Sequence, residues 1–163
     1  MPGTTSRITF FRVPPADDDA FVAAWERARD GGAPPALHRA LREDVDFRFV
    51  EVAHGAKPPL YEVAHEDGAP DGAEGVIRIE AFDVPPDADE RFLVGWREAH
   101  AGLAAQPGYQ GARLHRAVGE ADFRFVEIAR WSSPLGFSKA VRRAAPSPLA
   151  FRSHAALYLV VRQ

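Results

Sequence analysis

The sequence predicts an α+β fold built twice from one unit, and two observations carry that prediction. The stretch Asp122-Phe123-Arg124-Phe125-Val126-Glu127-Ile128-Ala129-Arg130-Trp131 is written once before, as Asp46-Phe47-Arg48-Phe49-Val50-Glu51-Val52-Ala53. The segments ahead of the two copies match in the same order. Residues 11–15 pair with 82–86, Phe21 and Trp25 with Phe92 and Trp96, and 37–40 with 114–117. The spacing is 71 residues at Trp25 and Trp96 and becomes 77 at Leu37 and Leu114, because the second copy has a longer loop at 105–111. A register kept across strand, helix and strand is an internal duplication.

Each element has a local reason. Residues 8–13 alternate as a strand and stop at Pro14-Pro15, which cannot continue a ladder. Asp17-Asp18-Asp19 supplies an N-cap and an acidic first turn; Phe21, Val22, Trp25 and Ala28 follow at helical spacing, and Gly31-Gly32 closes the helix. Strands are expected at 37–41, 47–53 and 60–64, and the polar, Gly-rich run 65–75 reads as a linker. The second copy adds a helix beginning near Ser133 and a final strand at 156–161. It is therefore β-α-β-β-α-β, a ferredoxin-like unit over residues 76–163, while residues 1–67 form a degenerate repeat without the second helix and 68–75 join them. In this order the third and fourth strands run the same way and need a long crossover. Lys57-Pro58-Pro59 is too short for one, so strand 60–64 must turn back as a hairpin, reach the other half, or reach another chain.

Composition excludes several function classes. With 163 residues and 46% hydrophobic content, the chain can fill one sizeable core or two half-domains sharing one. A net charge of -3 without a basic run points away from nucleic acid. The absence of cysteine removes disulfides, thiolate nucleophiles, Cys-ligated zinc and iron–sulfur clusters. No apolar run reaches membrane-spanning length and the start MPGTTSRITFF lacks signal-peptide character, so a soluble, cytoplasmic protein without a membrane partner is expected.

The strand at 123–131 holds the candidate chemistry. Strict alternation puts Phe123, Phe125, Glu127, Ala129 and Trp131 on one face. A carboxylate among three aromatic rings is poorly solvated, which raises its pKa towards values useful for acid–base work. The alternative for Glu127 is a structural salt bridge to an arginine, and its duplicate Glu51 fits that reading. Trp131, which has Gly55 as its counterpart, is a candidate for stacking on a planar substrate; Trp25 and Trp96 sit at helical spacing with Phe21 and Phe92 and read as core. His115 and its duplicate His38 are strand histidines, either a general base or a half-buried residue bonded to a neighbour. Neither shows metal-ligand spacing, and no metal is expected. Tyr109 and Gln110, in the loop unique to the second half, are placed as part of a lid.

The LHR strand, the DFRFVEIARW strand and the helix after it resemble the antibiotic biosynthesis monooxygenase family, best over 76–163 and more weakly over 8–64. The resemblance implies ferredoxin-like units paired into a dimeric α/β barrel, here fused as a pseudo-dimer that stands alone or as a homodimer. It also implies oxidation of an aromatic polyketide-like substrate by molecular oxygen with no cofactor. The family's cofactor-free oxygenases carry an Asn four residues before a strand-end Trp, a Tyr in the next helix and a later Arg. Here those positions fall on Glu127, Trp131, Phe137 and Arg152, so two of four depart. Related haem-degrading enzymes carry a His in the second-helix region, whereas His154 precedes the last strand. On this basis Glu127, Trp131 and His115 are catalytic candidates, and Phe123, Phe125, Phe137, Arg152 and Tyr109 candidates for holding substrate. Three functions follow: a cofactor-independent monooxygenase, a polyketide cyclase or aldol-type enzyme using Glu127 and His115, and a non-catalytic binding protein. In the first half Glu51 and Gly55 occupy the Asn and Trp positions, so no active pocket is expected there.

Overall fold

A computed structural model describes residues 5–29, 34–72, 74–144 and 149–163. The elements run β1 (Ser6–Phe11), α1 (Asp18–Arg27), β2 (Ala36–Ala40), β3 (Phe49–His54) and β4 (Leu60–Gly68). They continue with β5 (Val76–Phe82), α2 (Asp89–Ala104), β6 (Tyr109–Val118), β7 (Phe125–Trp131), α3 (Pro134–Ala144) and β8 (Ser153–Arg162). The eight strands close into one antiparallel barrel in the order β1-β3-β2-β8-β5-β7-β6-β4. Each half thus contributes the ferredoxin-like strand order, and the first half lacks the second helix, as the duplication predicts.

The fourth strand of the first half reaches across to the second. β4 lies along β6 from Leu60↔Val118 to Gly68↔Gly111, and meets β1 only at Ser6↔Tyr61 and Arg7↔Leu60. The connection 55–59 suffices because β4 is displaced along the barrel axis. It starts level with Ser6, where β3 ends at His54, and runs on past the end of β1. β8 does the same in reverse, pairing with β5 of its own half and β2 of the other. Two tyrosines mark this exchange: Tyr61 donates its hydroxyl hydrogen to the Phe123 carbonyl at 3.0 Å, and Tyr158 donates to the Phe47 carbonyl at 2.7 Å.

Ile8, Val50, Tyr61, Ile77, Ile79, Ala81, Val126 and Tyr158 fill the barrel interior, which eight strands leave just wide enough for side chains. The helices cover the outer face, so β7 is buried on both sides and reads apolar at five of its seven positions. The Arg of each DFRF motif is a clasp. Arg48 grips Asp18 through Nε (3.1 Å) and Nη2 (2.6 Å), and Arg124 grips Asp89 at 3.0 and 2.7 Å. Each also donates to a strand carbonyl, of Ala40 and Ala117 respectively.

Some local expectations change. Asp17 makes no side-chain cap; a short 3-10 turn at Pro15–Asp17 leads into α1, and Asp18 is drawn to Arg48 instead. Gly31-Gly32, Pro146 and Pro148 lie outside the described residues. The run 65–75 is not all linker, since β4 continues through His65, Glu66 and Asp67 to Gly68.

Candidate active site

Glu127 projects from β7 onto the helix-covered face, opposite Leu114 of β6 and Glu80 of β5. It is 7% exposed. The Trp96 indole N–H of α2 donates a short hydrogen bond to its Oε2, and Arg78 of β5 approaches Oε1 at 3.9 Å while pairing with Glu80. Burial raises the carboxyl above its ordinary value; Arg78 opposes this and Glu80 reinforces it. Trp131 (2% exposed) lies in the same face with Ala129, Tyr109 and, from α3, Phe137 and Ala140. The Phe137 ring meets Trp131 edge-on at 5.3 Å and sits 5.1 Å from the Arg78 guanidinium, closing the outer side.

The first half repeats the carboxylate and its partners. Trp25 donates a short bond to Glu51 Oε2, and Arg7 Nη2 donates to Oε1 at 2.9 Å. Its surroundings differ. Gly55 stands where the second half has Trp131, and no helix follows β3. A cavity of about 440 Å³ opens there, lined by Arg7, Trp25, Arg29, Pro35, Glu51 and Gly55 among others. The half expected to lack a pocket has this opening. A wider groove of about 1090 Å³ follows the barrel rim along Pro58, Val84, Pro86 and Phe123.

A polar cluster joins the two halves beside Trp96. A one-residue register shift between Val63 and His65 turns β4 over, so His65 and Asp67 follow Leu114 and Ala112 onto the helix-covered face. Gly111, at φ +154, lets the strands close, since a Cβ there would stand 2.7 Å from the Asp67 carbonyl oxygen. Asp67 Oδ2 lies 2.8 Å from His65 Nε2 and 2.7 Å from His100 Nε2, while the Tyr109 hydroxyl donates a short bond to Oδ1. Burial disfavours the Asp67 anion, but the bonds from Tyr109, His65 and His100 outweigh it and hold the carboxyl at about 2. His100, one turn beyond Trp96 on α2, stacks on the indole at 4.4 Å and 12°.

The sequence candidates divide accordingly. Glu127, Trp131, Phe137 and Phe125 share the helix-covered face, Phe125 stacking on Phe92 at 4.3 Å in the core beside the site. Phe123 does not join them. β7 begins only at Phe125, so the alternation fails before it, and Phe123 packs among interior residues against Phe10 and Phe47. His115 is on the opposite face from Glu127, paired with Val126, and cannot act with it. Its Nδ1–H donates to the Val126 carbonyl at 3.2 Å, and burial pushes the imidazole down to about 4. His38 repeats this bond with Val50 at 3.1 Å. Arg152 is exposed at the rim near Asp46, and the arginine facing Glu127 is Arg78. Tyr109 begins β6 and pins Asp67 rather than forming a lid. Sequence reasoning missed Arg78, His65, Asp67 and His100. The repeat held one available signal, because Arg7 and Arg78 stand at the same 71-residue spacing as the tryptophans.

Residues 75–143 match the antibiotic biosynthesis monooxygenase family. That match marks the protein as monooxygenase-like. Among solved structures, an anthrone oxidase-like protein is 12% identical with a TM-score of 0.70, over 99% of this chain and 92% of its own. A ferredoxin-fold protein from Listeria monocytogenes related to antibiotic biosynthesis monooxygenases is 16% identical, with a TM-score of 0.59 over 97% of this chain and 94% of its own. A heme-degrading enzyme from the same organism is 18% identical, with a TM-score of 0.54 over 94% and 97%. These likenesses show the fold, and they span both halves. No curated protein matches the chain. No helix among the described residues is long and apolar enough to cross a membrane.

Proposed function

We propose that the protein is a cofactor-independent monooxygenase acting on a planar aromatic carbon acid of the polyketide type, with Glu127 as general base. The observation that carries this is a buried carboxylate of raised pKa, held by an indole N–H and a guanidinium and walled by Trp131 and Phe137. The carboxylate takes a proton from an acidic CH2 flanked by aromatic rings, and the resulting anion is delocalised. Arg78 faces the position where negative charge develops. A substrate ring replacing Phe137 would meet the same guanidinium face. Molecular oxygen then converts CH2 to C=O, one oxygen atom entering the product and the other leaving as water.

The test is oxygen uptake with a simple anthrone, using purified protein without added flavin, nicotinamide or metal. Uptake that disappears in Glu127→Gln supports the reading. Loss in Glu51→Gln instead moves the reaction to the open first-half cavity. A second reading is an aldol-type cyclisation, favoured by Glu127 and Phe137 standing where the family's oxygenases carry Asn and Tyr; conversion under nitrogen would select it. A ligand that binds and is never converted under either atmosphere would leave a non-catalytic binding protein.

A further inference from the structure

We infer that His65, Asp67 and His100 form a binding site for a first-row divalent cation of the Zn2+ class at the seam between the two halves. The inference does not rest on the reaction proposed at Glu127. The three ligand atoms, His65 Nε2, His100 Nε2 and Asp67 Oδ2, lie within 4.8 Å of one another. Two imidazoles and one carboxylate are a donor set suited to such ions, with coordination positions left open for water.

Their arrangement favours a cation over a plain hydrogen-bond cluster in two respects. Both imidazoles present Nε2, rather than one Nε2 and one Nδ1, to a single carboxylate oxygen. Tyr109 occupies the other oxygen, Oδ1, and so aims Oδ2 between the two rings, as outer hydrogen bonds orient metal-ligating carboxylates. The rings themselves are fixed: His100 is stacked on Trp96, and His65 meets the same indole edge-on at 5.1 Å. Ligand atoms around a tetrahedral Zn2+ stand about 3.4 Å apart at the usual bond lengths. The 2.7 and 2.8 Å separations therefore open by roughly two-thirds of an ångström as the cation replaces the two Nε2 protons. His65 and Asp67 are about one-third exposed, which leaves an entry path, while His100 is buried.

The site would tie β4, the strand contributed by the first half, to α2 and thus to the second half. It acts as a clasp at the place where the barrel is closed by a strand from the other repeat.

The untagged full chain is stripped with a chelator and titrated with ZnCl2 by calorimetry and with CoCl2 by visible absorption and tryptophan fluorescence. The chain has no cysteine, so no thiolate competes. We expect one equivalent of Zn2+ at micromolar or tighter affinity, cobalt bands of nitrogen and oxygen coordination, and saturable quenching of Trp96. Melting temperature should rise with Zn2+ concentration, since the ion binds only the folded chain. His65→Ala and Asp67→Asn should each weaken binding by more than about 100-fold and Tyr109→Phe by about 10-fold, while His154→Ala leaves it unchanged. The wild-type titration decides the matter even where a variant fails to fold. No saturable binding below millimolar Zn2+ overturns the proposal, as does full affinity in His65→Ala and Asp67→Asn, or loss of it in His154→Ala.

Discussion

Glu51 and Glu127 are held by the same two partners, an indole and a guanidinium, yet one lines a cavity and the other is enclosed. The difference lies in two features. Trp131 replaces Gly55, and α3 follows β7 where a five-residue connection follows β3. The duplication has therefore kept the groups that position a carboxylate and changed the walls around it. A carboxylate on a sheet face can be prepared by its own strand neighbours and the first helix of its repeat. Whether it meets solvent, ligand or packed rings is decided by what comes after.

The most direct way to break the contrast is to give the second half the residue of the first. Trp131→Gly removes a fully buried indole and should cost about 3–5 kcal/mol in chemical denaturation. A loss under about 1 kcal/mol would show that the enclosure is not packed as described. The reverse exchange, Gly55→Trp, has space but meets a backbone at φ +151, so it should abolish ligand binding in the first-half cavity at a strain of about 1–3 kcal/mol.

The duplicated arginine clasps offer a graded comparison. Arg48 and Asp18 are nearly buried, whereas Arg124 and Asp89 are more exposed. Arg48→Ala should therefore cost about 3 kcal/mol and Arg124→Ala about 1, read as paired midpoint shifts. Equal losses would remove burial as the reason.

The strand histidines predict a pH effect. His115 is neutral in the fold down to about 4, below its unfolded value, so the unfolded chain binds more protons between those pH values. Stability from this group is full above 6.5 and falls by about 3 kcal/mol as pH drops to 4. His38 acts in the same direction. A His115→Gln variant should show a flatter acid limb in pH-dependent melting, and an unchanged limb would refute the assignment.

The smallest effects separate the carboxylates themselves. Glu127 is raised, so its protonated form suits the fold and its contribution falls as pH rises past the unfolded value. Glu127→Gln should therefore gain stability relative to the parent from pH 4.5 upward. Glu51→Gln, which only breaks the Arg7 pair, should lose at most about 1 kcal/mol at neutral pH.

Much of this was legible in the chain. Periodicity and repetition determined the two βαββ units, the extra helix of the second, and a poorly solvated Glu127 on one strand face with Trp131, because these depend on spacing within one segment, whereas Phe137 was reached only through the family resemblance. Phe123 and Tyr109 were misplaced because strand ends depend on the partner strand. Closure of the barrel sends β4 to β6, since its short connection allowed several destinations and the axial offset selects one. It alone turned His65 and Asp67 over at the register shift and brought them to His100, 33 residues beyond Asp67, where no sequence spacing could place them. It also put His115 across the sheet from Glu127, because one step along a strand reverses the face. Spacing along the chain assigned residues to faces; closing the barrel decided which faces met.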